Sequence, residues 1–173
     1  MSGSLIKLDE VVASSSATVT LGVSNWDTSY DVYKVIVTDV IPTEDSRNLY
    51  FRVVKSGSAD DSSNYDYSYF AMRTDTTFGS IGNTNQTFWQ TSNYSNGTAT
   101  GETMNGVFYL FNFNGTEYSY VTNETASRTS SGTLISAQGG GVHTVGSASN
   151  GVQFFYSSGN ISSGTFTLYG LRK

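Results

Sequence analysis

The chain has no cysteine, one proline, one histidine and few charges. Without cysteine there is neither a disulfide framework nor a thiolate metal site, so stability has to come from packing and strand pairing. His143 alone cannot anchor a transition-metal cluster unless carboxylates supply every other ligand. A loop or strand-edge histidine accounts for it. Charged residues are 13% of the chain, against roughly 25% in ordinary soluble domains, so its wet surface consists largely of hydroxyls and amides. The net charge of −5, with no Lys/Arg cluster, opposes binding to nucleic acid or to an anionic membrane. No apolar run approaches a membrane span, and Asp9 and Glu10 interrupt the N-terminal one, so cytosolic synthesis without a cleaved leader is expected.

What is present is aromatic and β-branched. Twelve Tyr and ten Phe among 173 residues argue for a folded chain, and the length suits one domain over residues 1–173. Period-two runs separated by turn residues predict an all-β protein, an antiparallel β-sandwich or jelly roll of about ten strands, with no window of helical period. "NLYFRVVK" and "YDYSYFAMR" read as a hairpin with a long tip, and "MNGVFYLFNFNGTEYSYVTNE" as a hairpin turned by Asn-Gly. "TDTTFGSIGNTNQTFWQTSNYSNGTATGET" reads as extended loop with one or two short strands, and Gly139–Gly141 as a flexible turn.

The stretch "SYDVYKVIVTDV" is apolar on both parities: Tyr33, Val35 and Val37 point one way, Val32, Ile36 and Val40 the other. A two-faced strand in a chain too short for a third layer suggests burial against another copy. Val32, Ile36, Phe108, Leu110, Phe155 and Tyr169 are the candidate subunit-interface residues. Exposing all of them would leave an apolar patch larger than monomers usually tolerate.

Motifs for chemistry are weak. No G-x-S-x-G elbow accompanies the many Ser and Asp residues, and the paired carboxylates that glycoside hydrolysis needs would arise by abundance alone. Neither a catalytic residue nor a cofactor is expected. Asp60, Asp61, Asn64 and Asp66 form an oxygen-rich loop without the spacing of a Ca²⁺-binding helix–loop–helix, so no metal site is assigned. Trp26, Trp89 and Tyr94, flanked by Asn, Gln and Asp, have the composition of a sugar-stacking platform and are the candidate glycan contacts. Six N-x-Ser/Thr sequons occur, at Asn96 and Asn114 among others, where roughly four are expected by chance.

The order "SLIKL…VVASSSATVTL", "YDVYKVIVTDV", "LYFRV", "YDYSY" and "SGTFTLYGL" resembles a pattern found in small structural proteins of tailed bacteriophages, marine and cyanobacterial ones especially. The resemblance implies a non-enzymatic β-sandwich on the virion, most readily a capsid-surface decoration protein. It also implies a homo-oligomer, with a trimer as the first guess, bound to virion proteins such as the major capsid protein. The alternative it leaves is a tail-fibre or receptor-binding module for a host-surface glycan. Neither heptads nor a spare domain are present to make a fibre shaft.

Overall fold

The computed structural model describes residues 4–171. Alternating side chains build two antiparallel sheets packed face to face, a β-sandwich. The strands are β1 (Leu5–Ser16), β2 (Val19–Gly22), β3 (Val32–Pro42), β4 (Leu49–Lys55), β5 (Ser58–Ala59), β6 (Tyr65–Arg73) and β7 (Phe78–Gln86). They continue as β8 (Trp89–Gln90), β9 (Met104–Phe111), β10 (Ser119–Arg128), β11 (Leu134–His143), β12 (Gly151–Tyr156) and β13 (Ile161–Leu171). The larger sheet runs β1-β13-β3-β9-β10-β11-β6-β7. The smaller runs β2-β12-β4-β5, with β8 also paired to β4.

The core lies between them. Tyr33, Val35, Phe108, Leu110, Phe166 and Leu168 descend from the large sheet onto Phe51, Val53, Phe154 and Leu21 of the small one. Phe51 anchors an aromatic stack, with ring centroids 5.1 Å from Trp89, 5.1 Å from Phe108 and 5.4 Å from Phe154. Such contacts add about 0.5–1.5 kcal/mol each beyond burial of area.

Several expectations change. The run in β9 is apolar on both parities, and Phe108 and Leu110 prove fully buried in this chain's own core, while Val107, Tyr109 and Phe111 face outward. They are therefore removed from the candidate interface. Val40 also turns inward, because a register shift between Val37 and Val40, with Asp39 at φ 54°, inserts a bulge that resets the alternation. β4 and β6 are not a hairpin: they belong to different sheets, and the segment between them pairs as β5 before crossing over.

Gly139–Gly141 is not a turn. It lies inside β11, paired to β10 on one side and β6 on the other. A Cβ on Gly141 would stand 2.5 Å from Trp89 Cδ1 and 2.8 Å from the Asp66 carbonyl oxygen, and one on Gly139 would overlap the Tyr69 ring. The glycines make room for two aromatic side chains beneath the sheet. The stretch read as extended loop with one or two short strands holds two, the two-residue β8 and the nine-residue β7, whose Gly, Asn and Thr conceal its length from propensity alone.

Candidate functional site

The three proposed glycan contacts do not form a platform. Trp89 is fully buried between Phe51, Tyr65 and Gly141, and its indole donates to the Val142 carbonyl oxygen at 3.3 Å. No face of it is left for a sugar. Trp26 is half-buried, stacked on Tyr33 at 3.9 Å, and donates to Asn114 Oδ1 at 2.8 Å. Tyr94 is half-buried as well, beneath the Arg73 guanidinium, 4.8 Å from its ring centroid.

His143 is buried at the end of β11, its Nε2 3.3 Å from Asp60 Oδ2, with neither ring nitrogen in hydrogen-bond geometry. Burial, then the nearby Lys55 charge, push its pKa down to about 4 against the opposing pull of Asp60. Burial favours the neutral form of Asp60, but hydrogen bonds from Lys55 and Ser62 outweigh it and hold the carboxyl well below the usual range. Lys55 Nζ lies 2.8 Å from Asp60 Oδ2. This trio ties the loop after β5 to the sheet. Among the described residues no group of three His, Cys, Asp or Glu is placed to hold a metal, and Asp66 lies in β6, where it accepts from the Asn85 amide at 2.8 Å.

The large sheet's outward face is the surface whose composition demands explanation. Antiparallel register lines its side chains into rows running across the strands. Leu5, Leu171, Val32, Phe111, Tyr120 and Val142 are successive cross-strand partners, an apolar row over six strands. The next row holds Tyr169, Lys34 and Tyr109, with Lys34 Nζ 5.5 Å above the Tyr109 ring, and then falls to Thr122, Gly140, Ser68 and Gly82. These small residues leave a shallow groove of about 510 Å³ beside Tyr120 and Val142. At the far corner Phe70, Met72, Phe78 and Leu134 are all exposed by roughly half or more of their surface.

Of the remaining candidate interface residues, Val32, Ile36 and Tyr169 lie half-buried on this face. Phe155 is on the opposite side of the molecule, where Tyr50, Phe88 and the Arg52 guanidinium, 4.3 Å from its ring centroid, already cover it. Sequence reasoning missed Phe78, Tyr120 and Leu134. The outward parity of Phe70 and Met72 was the available signal.

No protein-family model matches the chain, and no curated protein does either. Among solved structures, one likeness is to a fructofuranosidase from Schwanniomyces occidentalis in complex with fructosylnystose, at 8% identity and a TM-score of 0.26. That alignment takes in 98% of this chain and 34% of the other, so this chain spans about a third of its length. A likeness at that level carries no functional argument.

Proposed function

We propose that the chain is a non-enzymatic structural β-sandwich that works by laying the outward face of its large sheet on a larger protein assembly, a capsid-surface decoration protein of the tailed-phage type its sequence resembles. The supporting observation is the apolar row from Leu5 to Val142 together with the exposed corner at Phe70, Met72 and Leu134. A solvated sheet face would alternate to polar residues, and contiguous apolar surface of this breadth marks contact with protein. A row spread over six strands suits a broad protein surface better than a small ligand, and attachment at many lattice points would multiply weak contacts by roughly 10²–10⁴. Loss of the Trp89 platform weighs against the glycan-binding alternative.

The test is co-sedimentation of purified protein with capsids assembled without it. Saturable binding by the native chain, lost in a Tyr120→Ser, Leu134→Ser double variant of unchanged melting temperature, is the expected result. Binding unaffected by the double substitution, or no binding at all, overturns it.

A further inference from the structure

The large sheet ends in two edges of different character. β1 carries Lys7, Asp9 and Glu10 and a register shift between Lys7 and Asp9, the charges and bulge that keep an edge from pairing. β7, "FGSIGNTNQ", has neither a charge nor a proline over nine residues, and its one paired neighbour is β6. A bare edge of that length is a template for another strand.

We propose that β7 pairs antiparallel with β7 of a second copy of this chain, about a two-fold axis at Ile81. This goes beyond the proposed function and does not depend on it. The Arg73 amide donates to the Thr77 carbonyl oxygen at 3.2 Å, closing the β6–β7 turn. Strict alternation from that pair turns the backbone groups of residues 77, 79, 81 and 83 toward β6 and leaves those of Phe78, Ser80, Gly82 and Thr84 on the free edge.

With the axis at Ile81, Phe78 meets Thr84 of the second copy and Ser80 meets Gly82, so all four outward residues pair once the Gln86 side chain releases the Thr84 carbonyl oxygen, to which its Nε2 donates at 2.9 Å. An axis at Ser80 would set Thr84 against the turn residue Thr76, which has φ 64°. One at Gly82 would set Phe78 against Gln86, beyond the irregularity where the Asn85 amide is already held by Asp66. Ile81 then sits in a pair without backbone bonds, where opposed side chains approach most closely. Half-buried against the core in a single chain, Ile81 gains its own symmetry mate as cover. Because β7 is uncharged, no like charges oppose one another between the paired strands. The result is a closed two-fold dimer, in place of the trimer that the family resemblance implies.

Three variants test this. The native chain is expected to be dimeric by sedimentation equilibrium at about 50 μM, and Ser80→Lys, a charge placed on the free edge, to weaken association at least tenfold, about 1.4 kcal/mol, with the circular dichroism of the folded chain retained. The absence of cysteine makes Ile81→Cys a unique thiol, expected to cross-link under mild oxidation because such strand pairs bring Cα atoms to about 4.5 Å, within disulfide range. Phe78→Cys, far from its own mate in this register, is expected to stay uncross-linked. A monomer at that concentration with no Ile81→Cys cross-link, an oligomer indifferent to Ser80→Lys, or cross-linking at Phe78→Cys in its place would each overturn the proposal.

Discussion

β11 and β7 flank the same strand, β6, and both are rich in glycine, yet Gly141 of the one and Gly82 of the other do opposite things. In β11 the glycines lie at the centre of the sheet and are filled from below, Gly139 by the Tyr69 ring and Gly141 by the Trp89 indole. In β7 Gly79 is filled likewise, a Cβ there running into the Tyr94 hydroxyl, but Gly82 is not: its Cβ would find the nearest neighbour, the Tyr67 carbonyl oxygen, at 3.7 Å. Gly141 uses its missing side chain to admit aromatic mass, and Gly82 leaves room beside the edge backbone. The same residue type therefore marks a packing constraint in the interior and an accessible edge at the margin.

The comparison is broken most severely by adding a methyl group to each strand. Gly141→Ala forces Trp89 from its slot and is expected to cost about 3 kcal/mol, the upper end of ordinary overpacking, read by urea denaturation. Trp89 fluorescence should shift to the red in that variant, since the indole would lose its dry surroundings.

Acid provides the next largest effect, because β11 ends in a buried titratable group and β7 contains none. His143 has a pKa near 4 when folded and about 6.5 when unfolded, so between those values the unfolded chain binds a proton that the native chain does not. Stability is then full above about pH 6.5 and falls as the pH drops toward 4, by about 2 kcal/mol at pH 4.5. Asp60, held low in the native state, adds its own loss only below its unfolded value of 3.8. Chemical denaturation from pH 7 to 4.5 should show the decline, and His143→Gln should flatten it.

The smallest effect is the matching change at the edge. Gly82→Ala meets only ordinary contacts and reduces the freedom of the unfolded chain, so stability should hold steady or rise, by no more than about 1 kcal/mol. A loss comparable with that of Gly141→Ala would erase the distinction between the two strands.

The all-β class and the β9–β10 hairpin were legible in the sequence, because alternation and the Asn-Gly turn are local signals. Parity was not legible where both faces are apolar: nothing within "GVFYLF" says that Phe108 rather than Tyr109 enters the core, since that is decided by neighbouring strands. Bulges defeat alternation for the same reason, as Val40 shows. The triple glycine was misread because its meaning lies in Trp89, fifty residues away and paired to the other sheet. The candidate glycan site failed on burial, which composition around a tryptophan does not report. The outward apolar face was partly visible through Val32, Ile36 and Tyr169, and its corner was hidden by a loop-like composition around Phe78.

Three amides that carry the glycosylation signal have structural duties. Asn96 is fully buried, its Nδ2 donating to the Val40 and Glu102 carbonyl oxygens while its Oδ1 accepts from Tyr156 at 3.1 Å. Asn123, also buried, donates from Nδ2 to the Thr91 carbonyl oxygen at 3.0 Å. Asn114 clamps the loop before β3, donating to the Tyr30 carbonyl oxygen at 2.6 Å and the Tyr33 hydroxyl at 2.8 Å. A sugar attached to any of these nitrogens would arrive before folding and replace a donor that the folded chain requires. Production through a eukaryotic secretory route would therefore trap the chain as an incompletely folded glycoprotein, whereas a host without that modification leaves all three clamps free to close.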